Sequence, residues 1–235
     1  ADIEKIVKQV REGNPDALIV VDNCYGEFVE RLEPTQVGAD LIIGSLIKNP
    51  GGGMALTGGY LAGSERAVTL ASYRLTTVGT GGEVGATLGQ NRNMFLGLFY
   101  APHTTAAALK TAHLAAYVFE KMGFLAEPKW SESRADIIQT VVTHSADTLC
   151  AFCRGIQAGS PVDAYVEPQP WAMPGYSDRV IMAAGAFTQG SSIELSCDGP
   201  LREPYTAYLQ GGLTYESGKI GVLSAAEEAL RIKGE

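Results

Sequence analysis

Two stretches decide how this chain reads: Ala17-Leu-Ile-Val-Val-Asp-Asn-Cys-Tyr-Gly-Glu-Phe28 and Asp40-Leu-Ile-Ile-Gly-Ser-Leu-Ile-Lys-Asn-Pro-Gly-Gly-Gly53. Each opens on a continuous apolar run of strand length, the pattern of a strand covered on both faces. A helical spacing at Ile3, Ile6, Val7 and Val10 precedes the first run and stops at Gly13-Asn14-Pro15. Gly59-Tyr-Leu-Ala-Gly63 is a weaker third run. Helix, strand, connection, strand is an α/β rhythm, and open α/β sheets bind ligands at the carboxyl ends of their strands. Asp22, Ser45 and Lys48 all fall at such ends, with Asp22 and Lys48 26 positions apart.

Farther along, Gly79 to Gly85 is glycine-rich, and a long helix is expected from about Thr104 to Met122, capped at Gly123. The character of the chain changes near Ala126-Glu-Pro128, which divides it into residues 1–125 and 126–235. Asp136 to Ala158 reads as a further helix, and the four prolines of Pro161 to Gly175 predict irregular chain. Short apolar runs at Val180–Gly185, Ser192–Leu195, Tyr205–Gly211 and Lys219–Val222 suggest strands of a smaller α+β domain.

Composition narrows the function classes. At 46% hydrophobic and 19% charged, the 235 residues form an ordinary globular chain able to bury a core. The net charge of −8, without a lysine or arginine cluster, argues against nucleic acid or an anionic membrane as partner. Ala101 to Phe119 is interrupted by His103, Lys110 and His113, so no stretch reads as a membrane span. Cys150-Ala-Phe-Cys153 lacks a second C-x-x-C or a histidine pair, so no metal is expected; buried free thiols and a reducing, cytoplasmic setting are.

A lysine and an aspartate at neighbouring strand ends are what pyridoxal 5'-phosphate requires. The amine forms a Schiff base with the aldehyde, and the acid keeps the pyridine nitrogen protonated, so the ring draws electrons from a substrate α-carbon. Lys48 takes the first role and requires a lowered pKa, which burial provides; it is also the candidate base at the α-carbon. Asp22 takes the second as a buried carboxylate, with a turn or helix cap as its competing reading. Ser45 is a candidate phosphate donor or a turn serine, and the three glycines after Lys48 would let backbone approach the cofactor. Gly79-Thr-Gly-Gly-Glu-Val-Gly85 fails G-x-G-x-x-G, which ranks a nucleotide-binding domain last.

Val21-Asp-Asn-Cys-Tyr25, Ser45 to Gly53, Gly81-Gly-Glu-Val-Gly85 and Tyr208-Leu-Gln-Gly-Gly-Leu-Thr-Tyr215 together resemble one family over essentially the whole chain. It is the methionine γ-lyase/cystathionine β-lyase-like group of aluminium-resistance proteins, within the fold-type I pyridoxal-phosphate enzymes. The resemblance implies an aspartate-aminotransferase-like fold: part of a three-layer αβα cofactor-binding domain over residues 1–125, and a smaller α+β domain over 126–235. It implies carbon–sulfur bond elimination on a cystathionine-, cysteine- or methionine-like amino acid, with Lys48 as the Schiff-base lysine, Asp22 the ring-nitrogen partner and Ser45 a phosphate ligand. By position it makes Arg202 the candidate for the substrate carboxylate, with Arg179 as rival and a surface salt bridge as the alternative for both. Tyr25 lines the pocket or packs, and Gln210 and Tyr215 would shape the entrance. The family's phosphate-cradling glycine turn and ring-stacking aromatic lie in an upstream segment not found here. An upstream segment or companion chain, and a homo-oligomer (dimer or tetramer), are therefore the expected partners. An aminotransferase or aldolase of the same fold, or a non-catalytic remnant of it, are the competing functions.

Overall fold

The computed structural model describes residues 2–75 and 77–234. It contains two sheets joined by one long helix. Helix α1 (Asp2–Gly13) leads into β1 (Val20–Asp22), which pairs in parallel with β2 (Leu41–Ser45); β3 (Gly59–Gly63) then runs antiparallel to β2. The register Val20↔Leu41 and Asp22↔Ile43 sets the carboxyl ends of β1 and β2 side by side. Helix α2 (Glu65–Ser72) follows, its first turn capped by the Ser64 hydroxyl, which accepts from the Ala67 N–H at 3.3 Å.

The doubly covered strand expected at Ala17–Val21 is shorter and more open than its sequence suggests. β1 is the edge of its three-stranded sheet, and Val20 is 51% exposed. An apolar run reports what a strand can bury, while its place in the sheet decides what covers it.

Helix α3 spans Asn91–Lys121 and so begins 13 residues before Thr104. Pro102 lies inside it, where a proline usually marks a boundary. Gly123, at φ +81°, ends the helix as expected. The second sheet follows, with β4 (Leu125–Glu127), β5 (Gln139–Val142), β6 (Trp171–Ala172), β7 (Arg179–Ala183), β8 (Ser196–Pro200) and β9 (Thr206–Gln210) in the order β4-β5-β9-β8-β7-β6, every pair antiparallel.

Three further expectations are corrected here. The helix expected over Asp136–Ala158 divides into β5 and α4 (Ala146–Ala158). Thr140, Val141 and Val142 favour a strand, and Ser145 starts the helix by accepting from the Thr148 N–H at 3.1 Å. Ser192–Leu195 is a turn and Ser196–Pro200 the strand. Lys219–Val222 belongs to helix α5 (Tyr215–Lys233), whose buried Val222, Ala225, Ala226 and Ala229 follow a helical period.

The main core lies between α3, α4, α5 and one face of the second sheet, around Phe119, Leu149, Phe152, Ile156, Ile181, Leu195 and Leu209. The Phe119 and Phe152 rings pack with centroids 4.7 Å apart. Helices α4 and α5 meet closely because Gly155 lacks a side chain: a Cβ there would stand 2.4 Å from the Ala225 Cα. Among the described residues, no helix is long and apolar enough to cross a membrane.

Phe152→Ala should therefore cost about 3–5 kcal/mol in chemical denaturation. Phe99→Ala, at a side chain 76% exposed, should stay within about 0.5 kcal/mol. Equal losses would contradict the assignment of the core.

Candidate active site

The parallel pairing of β1 and β2 delivers Asp22 and Ser45 to one edge, and the turn after β2 carries Lys48 back toward the turn after β1. The Lys48 ammonium stands 4.6 Å from the centre of the Tyr25 ring. Tyr25 adopts φ +76°, a left-handed conformation that costs a non-glycine residue about 1–2 kcal/mol. Asp22 Oδ1 accepts from the Cys24 N–H at 3.1 Å, an Asx turn that starts this reversal. The Cys24 thiol is near enough to Asp22 and Lys48 to feel the charge of both. Amine, thiol, carboxylate and phenol thus form one cluster.

Its electrostatics depart from the sequence reading in two ways. Asp22 is exposed rather than buried, and its hydrogen bonds from Cys24 hold the carboxyl below its ordinary range, so it is ionised at neutral pH. Lys48 is half-buried. Burial alone would lower its pKa, but Tyr25, Cys24 and Asp22 together outweigh burial and hold it above the usual lysine value. Burial, followed by Asp22, pushes the Cys24 thiol up, so it stays protonated.

Asn49, fully buried, ties the two turns together: its amide donates to the Tyr25 carbonyl at 3.0 Å and the Glu27 carbonyl at 3.1 Å. Glu27 beside it is also buried and accepts from the Tyr60 hydroxyl at 2.8 Å. The glycines after Lys48 pack inward rather than toward a ligand. A Cβ at Gly51 would fall 1.5 Å from the Leu46 carbonyl oxygen, and one at Gly97 of α3 would fall 2.1 Å from that of Gly51. Backbone touches backbone there, which fixes the lysine turn against α3.

Ser45 Oγ accepts from the Ile47 N–H at 3.3 Å, a turn contact that uses a lone pair and leaves the hydroxyl proton to another acceptor. Tyr25 also lines a cavity of about 250 Å³, whose other wall is formed by Ser191, Ser192, Ser196, Asp198 and Gln210 of the second sheet and its loops. Gln210 is a wall residue of this cavity, while Tyr215 opens α5 and is not in that lining. Arg202 stands apart: its exposed guanidinium pairs with Asp178 at 3.5 Å and does not line the cavity. Arg179 donates to the Pro170 carbonyl. A larger cleft of about 580 Å³ between α1 and residues 133–135 contains none of the expected site residues.

Sequence reasoning missed Cys24 and Asp198. The first was legible from its place two residues after Asp22; the second needed the register of the second sheet. As a donor set for pyridoxal phosphate the cluster fits in kind, pairing a half-buried primary amine with an ionised, open carboxylate. The glycines at 51–53 pack in turn against Leu46, against Gly97 of α3 and against Leu213.

Burial, the largest influence on Glu27, raises its carboxyl pKa. Stability from such a group is fully present below the unfolded value near 4.5 and is lost as pH rises through the higher folded value. Glu27→Gln should gain stability relative to the parent as pH rises from about 4 to 7, because groups common to both proteins cancel. A difference that stays flat in denaturation at the two pH values would contradict this.

Comparison with known proteins identifies the family. A family model described as methionine gamma-lyase matches residues 1–230. The uncharacterized protein YnbB of Bacillus subtilis is 51% identical over 98% of this chain and 55% of its own length. A solved structure from Listeria innocua, provisionally named a cystathionine beta-lyase involved in aluminum resistance, is 56% identical with a TM-score of 0.91, over 96% of this chain and 55% of that one. CalE6, a methionine gamma lyase from Micromonospora echinospora, shares the fold at 15% identity and a TM-score of 0.58, over 95% of this chain and 59% of its own. The chain spans about half the length of the first two relatives. With a single family model matched from residue 1 to residue 230, the chain belongs to the methionine gamma-lyase family.

Proposed function

We propose that this chain supplies the lysine-bearing part of a pyridoxal-phosphate-dependent carbon–sulfur lyase acting on a sulfur amino acid. The observation that carries the reading is the cluster at the ends of β1 and β2, where the Lys48 ammonium lies over the Tyr25 ring with Cys24 and Asp22 as its electrostatic neighbours. Family membership and the name of the Listeria protein support it. Pyridoxal phosphate, when bound, would supply an electron sink for the charge left at the substrate α-carbon.

The chain's own residues would do the rest. Lys48 anchors the aldehyde and takes the α-proton, which requires its neutral form. Asp22, once paired with a ring nitrogen, no longer draws on Lys48, so one of the groups holding the lysine charged is removed. Tyr25 presents a flat face beneath the amine and restricts where it travels. Ser45 has a hydroxyl proton to give to a phosphate oxygen. A substrate carboxylate would have to displace Asp178 from Arg202, whose exposed position makes that exchange inexpensive.

The two-sheet arrangement supports residues 1–125 as the cofactor-bearing part and 126–235 as a smaller C-terminal domain. The fold-type I assignment and a dimeric or tetrameric assembly belong to the same proposal. So does a phosphate cradle contributed from an upstream segment or companion chain outside these 235 residues.

Borohydride reduction with added pyridoxal phosphate, followed by peptide mass mapping, tests this reading. A phosphopyridoxyl adduct confined to Lys48, and absent from Lys48→Ala, is expected. Labelling scattered over exposed lysines, and unchanged in Lys48→Ala, would contradict it.

A further inference from the structure

Arg134 is an unpaired cation in the interior. Its side chain is only 8% exposed, and a charge so deeply buried ordinarily has a partner of opposite sign. Among the described residues no carboxylate forms an ion pair with it, and Asp136 and Glu132 act on it only from a distance. Its hydrogen bonds go to neutral oxygens. Nη1 donates to the Ile138 carbonyl at 3.1 Å, and Nη2 to the Ala112 carbonyl at 3.4 Å and to Gln139 Oε1. Nε is buried with no partner among the described residues. A guanidinium has more N–H donors than these bonds use, so Arg134 lacks both a counter-charge and an acceptor.

Those bonds hold residues 133–135 against α3 and β5, where they form part of the wall of the cleft of about 580 Å³. That volume lies within the range of small-molecule sites, roughly 300–1,000 Å³. Lys48, Asp22 and Ser45 do not line it, so the proposed lyase chemistry leaves it unused. Hydrocarbon makes up much of the remaining wall: Ile3 of α1, then Leu32, Pro34 and Val37, with Leu32 53% exposed.

The acids of the lining are mostly engaged. Asp2 and Glu4 pair with Lys5 and Lys8 along α1. Glu33 accepts from the Asn23 amide at 2.8 Å and the Phe28 N–H at 3.1 Å. Glu30 and Arg31 are exposed and of opposite sign. A multiply charged anion would be repelled by these carboxylates, whereas one carboxylate at Arg134 would leave only a neutral tail near them.

The geometry points to a binding site, separate from the Lys48 cluster, for a monocarboxylate with a short hydrocarbon tail. Arg134 is its cation, and Ile3, Leu32 and Val37 receive the tail. The site stands independently of the lyase reading and needs no cofactor.

Calorimetric titration of the protein without added cofactor, at constant ionic strength, tests it with hexanoate, hexanamide, acetate and inorganic phosphate. Hexanoate should bind at least about tenfold more tightly than hexanamide, which lacks the charge, and than acetate, which lacks most of the tail. Phosphate should bind more weakly than hexanoate by at least the same factor. Arg134→Lys, which loses the planar donor array, should weaken hexanoate at least about fivefold. Because a buried arginine also supports the fold, Leu32→Asp provides a second variant. Its exposed position spares the core, and its charge beside the tail should weaken hexanoate by at least about fivefold. Equal affinities for hexanoate and hexanamide, phosphate as tight as hexanoate, or unchanged hexanoate binding in Leu32→Asp would overturn the site. So would the absence of hexanoate binding up to about 50 mM, a free energy weaker than any specific contact of this kind should give.

Discussion

Parallel pairing of β1 with β2 sets the level at which both strands end, and the proposed chemistry depends on that level. The register Asp22↔Ile43 leaves the carboxylate at one strand end and Ser45 just beyond the other. A slip of one residue would turn Asp22 to the opposite face of the sheet and remove it from Lys48. Neither residue can reach the other through local sequence. Only the sheet, through three paired residues on each strand, closes the interval between them.

Beneath the pair lies a polar layer that holds the turns and carries a cost. Asn49 bridges two carbonyls of the first turn, yet its Oδ1 and the Glu27 Oε2 are buried without a hydrogen-bond partner among the described residues. Each such atom costs about 1–3 kcal/mol. Burial and the neighbouring Glu27 also push the Tyr60 phenol far above its ordinary range, which keeps it a donor to that acid. Glycine contacts at Gly51 and Gly97 secure the other side, where two backbones approach too closely for any side chain. The lysine turn is therefore fixed from below, and its ammonium faces the Tyr25 ring.

Much of this could be read from the chain alone, and the failures have definite causes. β2 and β3 were legible because apolar runs bounded by glycine match strand length, and the end of α3 because Gly123 supplies a left-handed cap. The helix over 136–158 was misread because Ile137, Val141 and Val142 fit a helical face as well as a strand, and only the Ser145 cap separates them. At the site, residue types were visible but their environment was not. The exposure of Asp22 and the raised lysine pKa follow from an edge strand and a tyrosine brought round by a left-handed turn. Asp198 was invisible because its relation to Tyr25 spans 173 positions of sequence.

The central claim is that Asp22 and Lys48 serve a single ring. Nitrogen-15 magnetic resonance of isotopically labelled pyridoxal phosphate bound to the protein tests it most directly. The account predicts a protonated ring nitrogen in the parent protein and an unprotonated one in Asp22→Asn, with the label still attached at Lys48. An identical protonation state in both proteins would contradict it.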